Sequence, residues 1–302
     1  RSFTLCVVLL AALLLSGCGR QDTEQPAVTL NSWLDDRYEE ELQFSPISLT
    51  YMGRKDRNDE LDDISFEGFK AHLVWKQQTV ADLDRLFDYD SLSMEEQTSF
   101  DIWTYQYERM REAEAFFYTG LTFDQMNGVQ SQLPTFLINI HEVDSAEDMA
   151  AYIARIKAVA PYMSTALNNA KRTSALGITT PGFALDGVIQ QSKAIISGAP
   201  FSTDELASPN HEDSPIWADI KHEVAALLES SQITKLQSDQ LLSSAKSALL
   251  QDFQPAYQSV IDWAEAEQDK APTISTGVGR QPNGAAYYAY RLASQTTTNL
   301  SA

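Results

Sequence analysis

Apolar residues along this chain recur in steps of three and four. Trp33, Leu34, Tyr38 and Leu42 keep that spacing, and so do Phe100, Trp103, Tyr107, Met110, Ala113 and Phe117. Ile153, Ile156, Ala160, Met163 and Leu167 form a third series, and Leu242, Ala245, Leu249, Phe253, Ala256, Val260 and Trp263 a fourth. A helix turns once every 3.6 residues, so each series gathers on one face and predicts a helix that buries it against others. In the fourth, Pro255 lacks a backbone donor and is expected to kink the helix.

Local signals mark where these helices start. Ser93 and Glu96 are spaced as a capping box, in which hydroxyl and carboxylate satisfy two otherwise orphan amides. Ser145 and Asp148 have a similar form, and Thr180-Pro181 opens a helix with proline at its first position. Breaks fall in the charged stretch 56–63, in the Pro-, Ser- and acid-rich stretch 198–215, and in the Pro/Gly/Thr segment 269–284. Only 135–140 and 273–275 have strand-like composition, and no fixed-period repeat emerges. The fold class expected is mainly α, a multi-helix bundle-like domain with little or no strand. An apolar content of 43% can fill a sizeable core, which favours one helical domain over two.

The N-terminus changes the picture of where this domain works. Leu5 to Leu15 is an uncharged apolar run behind Arg1, too short for the roughly 20 residues that span a bilayer and right for a signal-peptide core. Leu15-Ser16-Gly17-Cys18 matches the lipobox of bacterial lipoproteins. The expected organisation is a signal peptide at 1–17, a lipidated Cys18 with a polar tether to residue 28, and a helical region over 29–302. Several acyl chains on Cys18 would anchor it stably in the cell envelope, and Gly19 after the cysteine favours the outer membrane, facing the periplasm. The other cysteine, Cys6, lies in the signal core, so the mature chain has no thiol for a disulfide or a nucleophile.

Charge narrows the partners. With 42 acidic residues against 22 basic ones the net charge is −20, which repels phosphate backbones and anionic head groups. Nucleic acid is excluded as a partner, and membrane attachment is left to the lipid.

Candidate chemistry is sparse. A zincin helix needs two histidines four apart and a glutamate beside the first. His141-Glu142, His211-Glu212 and His222-Glu223 begin that pattern, but Ser145, Pro215 and Ala226 stand where the second histidine belongs. These histidines and His72 read as loop or surface residues, with His222-Glu223 the best placed to reach a site. Asp56, Asn58, Glu60 and Glu67 imitate a calcium loop, yet Leu61 occupies the slot that needs glycine. Gly277-x-Gly279 lacks the third glycine of a dinucleotide loop, and no nucleophile elbow or Walker loop exists. No catalytic residue and no metal ligand is assigned within this chain.

The closing block Pro282-Asn283-Gly284, Tyr287-Tyr288 and Thr296-Thr297-Thr298 resembles the centre of the bacterial DUF885 proteins, and Phe44-Ser45-Pro46 with Thr50-Tyr51-Met52-Gly53 resembles their opening helix and loop. The resemblance implies a two-lobed, helical, zinc-dependent peptidase-like enzyme in proteins roughly twice this length. It also implies a His-Glu-x-x-Pro-Gly-His-His motif beyond this block, absent here. The chain is therefore expected to be an N-terminal portion whose partner is the missing C-terminal half. Zinc belongs to the complete protein and is not bound by this portion, which is inactive alone and forms part of a cleft for a peptide-like substrate. Tyr287, Tyr288, Arg291 and Thr297 are the residues expected to touch substrate, since a phenol can steady an oxyanion and a guanidinium a carboxylate. Two other readings are a non-enzymatic binding or scaffolding lipoprotein, and a hydrolase built on His222 and Glu223.

Overall fold

A computed structural model describes residues 28–202, 212–272, 277–298 and 300. Cys6, Cys18, His211 and the stretch 273–275 lie outside the described residues. The helices are α1 (Leu30–Leu42), α2 (Pro46–Tyr51), α3 (Phe66–Leu86), α4 (Met94–Ala113), α5 (Val129–Asn139), α6 (Ala146–Ala175), α7 (Gly182–Ile195), α8 (Pro215–Glu229), α9 (Lys235–Ala248), α10 (Gln254–Gln268) and α11 (Gly284–Thr296). Among the described residues the only extended pairing is an isolated bridge between Ala199 and Asp213, so the mainly α expectation holds. No described helix is long and apolar enough to cross a membrane.

The predicted starts are realised with one shift. Ser93 caps α4 with a full capping box, its hydroxyl 3.3 Å from the Glu96 amide and its own amide 2.9 Å from the Glu96 carboxylate. Ser145 caps α6 from its side chain, while Asp148 accepts from the Asp144 amide instead of closing the box. Pro181 is the N-cap of α7, one position before the site expected of it. The stretch 135–140 is not a strand but the end of α5 and its cap: Phe136 and Leu137 bury one helical face, and tertiary packing overrides strand-like composition. The disturbance expected at Pro255 falls just before it, where Leu249–Phe253 forms a π-turn that joins α9 to α10. A widened turn relieves the clash that proline would make inside a regular helix.

Two cores result. The larger surrounds α6, whose Met149, Ile156, Val159 and Met163 are fully buried, and which packs against α5, α8, α9 and α10. The smaller one joins α1, α3 and α4 through Trp33, Leu83, Phe100 and Trp103, with Trp33 edge-on to Trp103 at 6.3 Å. Behind the smaller core the buried Lys76 places its ammonium 3.2 Å from the Trp103 ring centroid and 2.8 Å from Glu41.

Arg155 of α6 ties the loop after α2 to the larger core. It is fully buried, and its guanidinium donates to the Glu60 carbonyl at 2.9 Å, Asn58 Oδ1 at 3.0 Å, Thr50 Oγ1 at 2.7 Å and His141 Nδ1 at 2.7 Å. Asp56 meets Arg54, and Glu60 pairs with Arg57. The side-chain oxygens of Asp56, Asn58 and Glu60 are thus held by arginines.

Candidate functional site

The family-like block at the C-terminal end folds back on the body and builds a cavity. Asn283 takes a left-handed conformation (φ 56°) and Gly284 donates its amide to the Gln281 carbonyl at 2.9 Å, so Gln281 to Gly284 make a tight turn into α11. Gly284 must be glycine, because a Cβ there would collide with the Val278 carbonyl oxygen. Pro282 sits over Gly177, whose left-handed φ of 81° ends α6. Tyr287 and Tyr290 close on the turn after α4: Tyr290 stacks on Phe116 at 5.1 Å, and the Tyr287 hydroxyl lies against Gly120.

Between these pieces lies a cavity of about 430 Å³, lined by Thr119, Leu121, Arg280, Gln281 and Tyr287 among others. Among the described residues no acidic side chain lines it, and Arg280 is the one cation that does. Among the described residues neither the Arg280 guanidinium nor the Tyr287 hydroxyl has a hydrogen-bond partner. Of the four residues expected at a substrate cleft, Tyr287 lines this cavity. Tyr288 is 46% exposed on the other face of α11, Arg291 is exposed, and Thr297 follows the helix in a left-handed conformation with its hydroxyl on the Thr296 carbonyl. The structure does not bring those three to the cavity. Arg280 escaped the sequence reading: its only signal is a position between two glycines and the Pro-Asn-Gly turn.

A larger cavity of about 680 Å³ lies between α3 and the loop before it, walled by Phe44, Phe69 and Phe117. Its polar groups are already engaged: His72 with Glu41 at 3.0 Å, Arg57 with Glu60, and Asp63 with the Ser65 amide.

The histidines are dispersed. His141 lies in the loop between α5 and α6 but not at the surface: it is buried edge-on against Tyr152, and burial with the adjacent Arg155 charge pushes it down to about 4. His72 stacks on Phe44 at 4.4 Å in a partly buried site. His222 is exposed on α8, where burial raises its neighbours Asp219 and Glu223 above the usual carboxylate range. Asp219 accepts from the Tyr152 hydroxyl at 2.8 Å. Among the described residues no three His, Cys, Asp or Glu side chains converge as a metal site, so the donors present do not fit a zinc centre.

The sequence pattern of the bacterial proteins of unknown function DUF885 matches residues 46–302. The chain belongs to the DUF885 family. A crystal structure described as a lipoprotein from Colwellia psychrerythraea has the same helical fold, with a TM-score of 0.73 at 16% identity over 91% of this chain. This DUF885 chain spans about half of that protein, 47% of its length. No curated protein matches the chain.

Proposed function

We propose that this chain is the helical N-terminal portion of a DUF885 hydrolase of the peptidase type, and that it forms one wall of the substrate cleft. The single observation that carries this reading is the cavity at the family block, which Tyr287 and Arg280 line and where, among the described residues, neither the hydroxyl nor the guanidinium has a hydrogen-bond partner. Catalytic residues and zinc belong, on this proposal, to the other half of the complete protein. The lipobox supports attachment to the cell envelope through acyl chains on Cys18, with the outer membrane as destination.

The test is to express the complete reading frame and follow cleavage of short peptides. Tyr287→Phe is expected to lower kcat/KM by at least about tenfold, as removal of a hydrogen-bond donor to developing charge does, while Tyr288→Phe leaves it unchanged. A complete protein that cleaves no peptide, or that is indifferent to Tyr287→Phe, removes the reading. Acyl labelling that persists in Cys18→Ser removes the anchor.

A further inference from the structure

We infer that the cavity at the family block receives the free carboxylate end of a short peptide, with Arg280 pairing to the carboxylate. The inference rests on reading this cavity as part of the substrate cleft, and it names which end of the substrate enters.

Charge is the first argument. Acidic residues outnumber basic ones by 42 to 22, so the field of the whole chain opposes an anion. The other large cavities share that character: Asp59, Glu60, Asp62 and Asp63 line the one beside Tyr162, and Glu60 and Asp63 line the one beside His72, where the cation Arg57 is already paired with Glu60. The cavity at Tyr287 departs from this, with one cation and no acid among the described residues of its lining. An anion entering the protein is favoured there and opposed at the other two.

The second argument is the state of the polar groups. A guanidinium presents two parallel donors that match one carboxylate, and it is the group chosen for planar recognition. Among the described residues Arg280 forms no ion pair, unlike Arg54, Arg57 and Arg109. Tyr287 adds a free phenol on the same lining. One guanidinium and neutral hydroxyls suit a single negative charge better than a phosphate dianion. Leu121, Pro181, Val278 and Pro282 supply apolar wall for the terminal side chain, and about 430 Å³ falls in the range of small-ligand pockets.

The experiment titrates the purified complete protein with acetyl-Ala-Leu as the free acid and as its C-terminal amide, by calorimetry. The acid is expected to bind at least about tenfold more tightly than the amide, the margin of a charge-assisted hydrogen bond. Arg280→Gln should remove that preference with no change in thermal midpoint, and Arg291→Gln should keep it. Equal binding of acid and amide, or an unaltered preference in Arg280→Gln, overturns the inference. Displacement of the peptide by inorganic phosphate at matching concentration also overturns it, because the site would then be a general oxyanion site. These outcomes are independent of hydrolysis: a complete protein that cleaves peptides while this preference is absent keeps the proposed function and loses the inference.

Discussion

Arg155 Nη1 lies 2.7 Å from Nδ1 of His141, and both side chains are buried. A guanidinium has no lone pair to offer, so Nδ1 must accept and the ring proton must sit on Nε2, where it meets the Asp148 carbonyl at 3.2 Å. The neutral imidazole is therefore part of how a buried cation is satisfied. Through the same guanidinium the loop after α2 is fixed to α6, far from it in sequence.

Removing Arg155 should be among the costliest single changes in the protein. Arg155→Met leaves the Asn58 amide oxygen, the Glu60 carbonyl and His141 Nδ1 without their donor. A loss of about 3–5 kcal/mol is expected, as for breaking a buried charged network. Urea unfolding at neutral pH measures it, and a loss under about 1 kcal/mol would mean that water replaces the guanidinium.

His141 should make stability fall as the solution is acidified. Its folded value of about 4 lies below the ordinary imidazole value of 6.5, so the unfolded chain binds the extra proton first. Stability from this group is complete above the unfolded value, is lost between about pH 6.5 and 4, and is level below that. A shift of this size corresponds to at most about 3 kcal/mol. His141→Gln, which keeps an acceptor for Arg155, is expected to flatten this part of the profile; an unchanged slope would place the titration elsewhere.

How much of this could be read from the sequence depends on range. Helices declared themselves through periodicity, and Ser93 through its capping box, because both depend on residues within a few positions of one another. The role of His141 did not, since its partner Arg155 and the loop residue Asn58 meet only once α6 is packed. The closing block pointed to Tyr287 but grouped it with Tyr288, although adjacent helical side chains point about 100° apart. Arg280 was invisible for a related reason: a cavity without acidic walls is a property of four separated segments.

Lys76 and Glu41 should prove replaceable together but not singly. Burial lowers Lys76 against the pull of Glu41; at Glu41 burial works upward, but hydrogen bonds from His72 and Lys76 hold it below its usual value. Lys76→Met alone leaves Glu41 half-buried with only His72, and a cost of about 2–3 kcal/mol is expected. Adding Glu41→Met should recover most of that loss, because the ammonium already rests on the Trp103 ring and an apolar chain fits there. The double-mutant cycle reads the coupling, and an additive result would show that the pair contributes nothing beyond its separate members.

Gly284 offers the sharpest separation between fold and site. Substitution by alanine drives a Cβ into the Val278 carbonyl oxygen, so the turn carrying Arg280 must move away from α11. That helix leans on the body chiefly through Tyr287 and Tyr290 against Phe116, outside both cores. Gly284→Ala is therefore expected to speed amide exchange in α11 and to weaken peptide-acid binding, while the global unfolding midpoint barely shifts, since local opening need not reach the core. Gly279→Ala is the matched control, because its Cβ would meet nothing within 4 Å. If Gly284→Ala lowers global stability as much as a core truncation, α11 is part of the cooperative core; if both variants bind peptide acid normally, the turn does not shape the site.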